Sequence, residues 1–210
     1  LGDPSMTAHV LSYLARTLQC LGEYRDAERL LRESLQLSQE NGYRFATGLS
    51  LDGLGKIAYA EGRCEEAQRY FAESAGVFRD LGDKHRLSRT LNHQGLNRLA
   101  LHQASEAQED FGTALRLAYE GHFTPAALNA LAGLAALAVH QEAGEETLEL
   151  VLYILEHPAS SQETRDLAAR LKEELGAGLT PAEMDRVHRL AGAKTLDDFV
   201  RPVLTGVHAG

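Results

Sequence analysis

The sequence repeats itself at a shift of 40 residues. Leu11, Leu51, Leu91 and Leu131 fall in one column, and Ala15, Gly55, Gly95 and Ala135 in a second. Ala27, Ala67, Ala107 and Thr147 form a third, and Leu31, Phe71, Phe111 and Val151 a fourth. Ser34, Ser74, Ala114 and Ile154 form a fifth. Gly22 and Gly62 also match, but His102 and Glu142 break that column. A fixed period of this length means an array of like units, each burying its apolar face against its neighbours.

Each column has a physical job. A leucine followed four residues later by a small residue places both on one face of a helix. The small residue lets a neighbouring helix come close, and Gly22 or Gly62 then ends the helix. A second helix carries Ala27, Leu31 and Ser34, or Ala67, Phe71 and Ser74, on one face. It ends at Gly42, at Gly82 and, one residue out of phase, at Gly121. Each unit is therefore an antiparallel helix pair, and the units run near 7–42, 47–82, 87–121 and 126–157. Alanine, leucine and glutamate outweigh valine, isoleucine and threonine, which favours helix over strand. The expected fold class is all-α.

The segment "LGEYRDAERLLRESL" (21–35) has Gly-x-Tyr-x-x-Ala followed by a large apolar residue. "EGRCEEAQRYFAESA" (61–75) and "LHQASEAQEDFGTAL" (101–115) follow it closely, while "QEAGEETLELVLYIL" (141–155) keeps mainly the phase. These stretches resemble the tetratricopeptide repeat, whose ordinary unit has about 34 residues. The longer unit here resembles the long-repeat kind, with helices extended by a turn. The resemblance covers residues 7–157. It implies a right-handed α-α superhelix of about four helix pairs, whose first helices line a concave groove. "LGD" at 1–3 returns as "LGD" at 81–83, twice the period away. Residues 1–6 accordingly read as the end of a preceding repeat, and the chain as part of a longer solenoid.

After Leu155 the period stops, and residues 158–210 read as a C-terminal helical cap. Ser160 and Glu163 form a candidate capping box for a helix over 162–175. Thr180, Pro181 and Glu183 start another, and Thr195 with Asp198 a third, which Pro202 is expected to interrupt early. A cap is needed because "TLELVLYIL" (147–155) is apolar nearly all the way round. Leu167, Leu171, Leu175, Leu190, Phe199 and Leu204 are the candidates to cover it. A helical tail with "HPASSQETRDLAARL" after degenerate long repeats resembles the C-termini of bacterial STAND-type signal-transduction ATPases and related regulators. In that family an upstream nucleotide-binding domain is the switch, and the repeat array receives the inducer.

The 210 residues carry a net charge of −9 with histidine neutral, which disfavours phosphate backbones, so no nucleic-acid partner is expected. No apolar run is long enough to span a membrane. Cys20 and Cys64 have neither metal nor redox spacing, which fits a reducing, cytoplasmic setting. "SLDGLGKIA" (50–58) looks like a phosphate loop, but Ser50 stands at the first glycine and Ile57 follows Lys56. Among nine histidines no pair is spaced four apart with an acid between; His85 and His93, eight apart, come closest. The sequence shows no catalytic constellation, and no cofactor or metal is expected.

If the fold is the one the resemblance implies, the groove rows follow from the leucine column. One position after it stand Ser12, Asp52, Asn92 and Ala132; four further on, Arg16, Lys56, Leu96 and Ala136. His9, Leu49, Arg89 and Asn129 lie three before the first row, and Gln19, Tyr59, Leu99 and Val139 three beyond the second. The candidate binding residues are Ser12, Arg16, Asp52, Lys56, Tyr59, Arg89, Asn92 and Asn129. Lys56, Arg89 and Asn92 resemble the carboxylate clamp of co-chaperone repeats, although the ordered clamp pattern is missing. Two readings of function result. One is a non-catalytic interaction or ligand-sensing domain of a larger signalling ATPase or transcriptional regulator, with upstream domains and a protein, peptide or small-molecule inducer as partners. The other is a free-standing adaptor or chaperone-type scaffold binding a peptide. Purified protein should turn over no ATP, and Lys56→Ala should leave nucleotide binding at background in a filter-binding assay.

Overall fold

In a computed structural model the chain forms helices and turns, with no strand among the described residues, 3–141 and 144–206. It divides into two compact units, Leu1–Gln103 and Ala104–Gly210. The first holds α1 (Pro4–Cys20), α2 (Tyr24–Glu40), α3 (Arg44–Ala60), α4 (Cys64–Asp80) and α5 (Lys84–Ala100). The second holds α6 (Ala104–Glu120), α7 (Thr124–Val139), α8 (Glu145–Glu156), α9 (Gln162–Leu175), α10 (Pro181–Gly192) and α11 (Leu196–Thr205).

The sequence period is 40, but the backbone period is 20. Each of α1 to α6 is 17 residues long and is followed by the same three-residue turn. In each turn an amide reaches back to a carbonyl five residues earlier: Glu23 to Leu18, Tyr43 to Ser38, Arg63 to Ala58, Asp83 to Phe78, Gln103 to Arg98 and Phe123 to Ala118. These bonds measure 2.8–3.0 Å. They are the long bond of the Schellman motif, which requires a left-handed residue just before the donor. Gly22, Gly42, Gly62 and Gly82 supply it with φ of 80°, 73°, 76° and 67°.

At the next two turns the residue changes and the conformation stays. His102 and His122 take φ of 59° and 56°. The broken glycine column is thus an intact structural column. Helix α6 ends at Glu120, next to the expected Gly121, but the left-handed residue of the turn is His122, in phase, and not that glycine.

In the first unit each helix packs on its sequence neighbour, and α3 also touches α1 and α5. These are stacked helix pairs of the tetratricopeptide type, with the odd-numbered helices side by side. Small residues set their spacing. A Cβ on Gly53 would come within 2.8 Å of Leu31 on α2, and one on Gly55 within 2.6 Å of Phe71 on α4. Ala15, Ala27, Leu30, Leu31, Leu54 and Ile57 form one buried cluster, and Ala58, Ala67 and Phe71 another.

In the second unit α6 packs on α7, α7 on α8 and α9, and α8 on α9 and α10. The apolar α8 is covered as expected but partly by other residues. Leu148 and Leu152 are buried with Val187 and Ala191, and Leu175 and Met184 pack beside them. Leu171 is buried, and Phe199 lies with its ring 4.9 Å from that of Tyr153. Leu190, expected to cover, points outward at 41% exposure.

Two local expectations are corrected. The N-cap of α9 is Ser161, which accepts from the Thr164 amide; Ser160 turns inward and donates to the Ile154 carbonyl at 2.6 Å. Helix α11 runs through Pro202 to Thr205. The proline removes one donor, but the Thr195–Asp198 capping box and the buried Val200 hold the helix at its start and middle. The Thr205 hydroxyl bonds the Arg201 carbonyl at its end. Of the "LGD" opening, Leu1 and Gly2 lie outside the described residues; Asp3 caps α1, accepting from the Ser5 amide at 2.9 Å. Asp83 caps α5, accepting from the Arg86 amide at 2.9 Å.

A left-handed conformation costs an L-residue about 1–2 kcal/mol, part of which glycine gives back through its freer unfolded chain. His102→Gly and His122→Gly should each raise stability by about 0.5–1 kcal/mol in urea unfolding. Gly62→Ala should lower it by a similar amount.

Candidate functional site

The groove of the first unit lies over α1, α3 and α5. Its lining includes Ser12, Arg16, Gln19, Asp52, Lys56, Arg86 and Arg89, with Tyr13, Leu49 and Phe78 as apolar wall. The space is about 560 Å³, part of it open to solvent. Five expected site residues therefore meet here: Ser12, Arg16, Asp52, Lys56 and Arg89. The other three stand elsewhere. Tyr59 sits near the end of α3, outside the lining, and Asn92 is buried. Asn129 belongs to the second unit, where its Oδ1 accepts from the Thr164 hydroxyl.

The groove floor is a slot that repeats with altered chemistry. In the first instance it holds Ser12, Ser34 and Ser50, whose hydroxyls lie 2.9–3.2 Å from one another. Ser12 and Ser34 also bond the Ala8 carbonyl, so this triad is closed on itself. Forty residues on, the slot holds Asp52, Ser74 and Thr90. Asp52 Oδ1 accepts from Thr90 Oγ1 at 3.0 Å and from His93 Nδ1 at 2.9 Å. The Ser74 hydroxyl donates to the Gly48 carbonyl.

Asp52 is 19% exposed and His93 5%. Burial pushes the Asp52 carboxyl up, but His93, then Arg89 and Lys56, outweigh it and hold the acid well below the usual carboxylate range. The carboxylate stays charged beneath the cations, held by Thr90 and His93. The same field reaches His85, which burial, Arg89 and Arg86 push below the ordinary histidine value.

The cations stand on three successive odd-numbered helices: Arg16 on α1, Lys56 on α3, Arg86 and Arg89 on α5. The Arg16 guanidinium lies 5.1 Å from the centre of the Tyr13 ring, and that of Arg86 5.5 Å from Phe45. Phe45 continues an edge-to-face ladder, 5.5 Å from His9 and 6.1 Å from Phe78. Gln19 donates to the Gly53 carbonyl at 2.8 Å and ties α1 to α3. Arg86 was missed in the sequence reading, although it stands one helical turn before Arg89 on α5. The arrangement is a cationic row over an ordered acid, suited to anion recognition. His93 bonds a carboxylate and packs against Phe71, with ring centres 5.8 Å apart. Among the described residues no cluster of histidine, cysteine, aspartate and glutamate is placed to hold a metal.

The tetratricopeptide repeat family model matches residues 6–80, which takes in α1 to α4. The crystal structure of BtubC (BKLC) from P. vanneervenii is similar in fold, with a TM-score of 0.66 at 16% identity. The match covers 99% of this chain and 84% of that one. No curated protein matches the sequence. The helix-pair architecture is thus that of the tetratricopeptide solenoid, a fold used as a protein-interaction scaffold. No described helix is long and apolar enough to cross a membrane.

Asp52 generates a pH prediction. Its folded pKa is depressed, so its contribution is present above the unfolded carboxylate pKa of about 3.9 and is lost as pH falls below that value. Asp52→Asn should flatten the acid limb of the stability–pH curve measured by urea unfolding. Asp52→Ala, which strips His93 and Thr90 of their acceptor, should cost about 1–3 kcal/mol near neutral pH.

Proposed function

We propose that this chain is a non-catalytic interaction and ligand-sensing domain whose first unit receives an extended acidic segment of a protein or peptide. The observation that carries this reading is the row of Arg16, Lys56, Arg86 and Arg89 on consecutive odd-numbered helices, over one ordered carboxylate. Adjacent packed helices are about 8–10 Å apart. Carboxylates spaced along an extended chain can meet such a row one after another, which a compact neutral molecule cannot. Charge-assisted hydrogen bonds there contribute about 1.5–3 kcal/mol each. The protein's net charge of −9 discourages anions from settling elsewhere.

We place the domain within a larger bacterial signalling ATPase or transcriptional regulator, of the kind its degenerate long repeats and helical tail resemble. Residues 1–157 act as the repeat array and residues 158–210 as its cap. Groove occupancy is reported to upstream domains of the same protein in the cytoplasm, where the free thiols of Cys20 and Cys64 stay reduced. A small-molecule inducer bearing carboxylates would use the same cations.

The test is fluorescence anisotropy with a labelled peptide of aspartate and glutamate against a neutral peptide of equal length. The acidic peptide should bind and the neutral one should not. Lys56→Glu and Arg89→Glu should each weaken binding at least about tenfold, or 1.4 kcal/mol, with the melting temperature nearly unchanged. Equal binding by both variants and the parent would place recognition on another surface.

A further inference from the structure

A carboxylate at the centre of a cationic groove works against the anions that the cations attract. Among the described residues lining the groove, Asp52 is the one acid, set among Arg16, Lys56, Arg86 and Arg89. The slot can be filled without it. In the equivalent slot forty residues earlier, Ser12, Ser34 and Ser50 fill the same place with hydroxyls that satisfy one another. Burying a charge instead costs desolvation and calls for dedicated partners. Thr90 and His93 are those partners.

Ser12 and Gln19, also on the groove lining, spend their hydrogen bonds within the protein, Ser12 on the serine triad and Gln19 on the Gly53 carbonyl. Asp52 differs. The bonds from Thr90 and His93 both fall on Oδ1, and neither uses Oδ2. The side chain is 19% exposed where it borders the groove.

An ionised carboxylate only accepts hydrogen bonds. Whatever lies against Asp52 must therefore bring an N–H or an O–H. An occupant with acceptors throughout sets its own oxygens against the carboxylate and leaves it unpaired. A site built around a buried polar group strongly rejects an analogue that lacks the matching group. An extended acidic peptide meets both demands. Its side-chain carboxylates face the cations, and its backbone N–H groups, recurring along the chain, supply the donor. Its apolar stems have Tyr13, Leu49 and Phe78 as wall. A chain of carboxylates without amides meets the first demand and fails the second.

We propose that Asp52 sets the specificity of this groove, admitting a polyanion that carries backbone N–H donors and disfavouring one that is an acceptor throughout. This rests on the reading of the groove as the site of an acidic segment, and adds how that site tells a peptide from other polyanions.

The probes are a labelled oligoaspartate and a labelled oligoacrylate with equal numbers of carboxylates. They are compared by fluorescence anisotropy at about pH 8, well above the ordinary carboxylate range. The parent should bind the oligoaspartate at least about tenfold more tightly. Asp52→Asn keeps an oxygen for Thr90 and His93 and places an amide donor beside it. It should strengthen oligoacrylate binding and bring the two dissociation constants to within about threefold of each other. If Asp52 acted by charge alone, the variant would bind both probes more tightly and keep the parent's preference, which overturns the proposal. A parent that binds the two probes equally also overturns it, a result that needs no variant and leaves the acidic-segment reading standing. Binding of neither probe to the parent overturns both.

Discussion

The left-handed residue that closes each of the first six helices is the constraint on which the array depends. It reverses the chain in three residues and returns an amide to the carbonyl five back, so every helix leaves its turn with the same geometry. Equal turns and equal helix lengths make the odd-numbered helices of the first unit lie side by side. Only then can Ser12 and Asp52, forty residues apart, occupy equivalent places on one floor. At His102 and His122 the turn keeps the same left-handed residue and the same long bond without a glycine.

Given that geometry, the contents of the interfaces follow from size. Where a helix carries Gly53, Gly55 or Gly133, a leucine or phenylalanine from the neighbour fills the vacated volume. Large and small residues are complementary across the contact, as native packing density requires. The polar slot follows the same rule in hydrogen bonds. Ser12, Ser34 and Ser50 satisfy one another and a carbonyl, which keeps buried hydroxyls from going unpaired. Replacing the first serine with Asp52 in the next slot introduces a charge, and that slot gains Thr90 and His93 to hold it.

Much of this was legible from spacing alone. The 40-residue columns of Leu51, Gly55, Ala67 and Phe71 report side-chain contacts that recur, and contacts of fixed geometry leave a fixed period. The helix at 162–175 and the capping boxes at Thr180 and Thr195 were legible because their chemistry is local. What escaped was set by tertiary structure. His122 taking the turn in place of Gly121 is decided by phase, against the local preference for glycine. Ser160 yields the cap to Ser161 because Ile154 needs a donor at the end of α8. Leu190 faces out while Val187 and Ala191 face in, a difference of helix rotation that spacing in a single helix does not determine.

The site divides along the same line. Arg16, Lys56 and Arg89 could be placed together because each is counted from the leucine column, and the column fixes direction as well as position. Asn92 obeys the same count yet is buried on α5, and Asn129 gives its acceptor to Thr164 of α9. Identical backbone positions therefore do not share surroundings: Ser12 and Asn92 are both buried, but only Ser12 borders the groove, and a count along one chain cannot see it. The reverse holds at α1. Met6, Val10, Tyr13 and Leu14 occupy positions that α3 gives to alanine, serine, glycine and leucine. The repeat arithmetic thus identifies them by their departure from the interior pattern. In a quasi-one-dimensional fold, conformity to the column specifies the scaffold, and departure from it locates the surfaces with something further to do. Asp52, in a slot otherwise of hydroxyls, and Tyr13, in a column otherwise small or polar, are two such departures in the first unit.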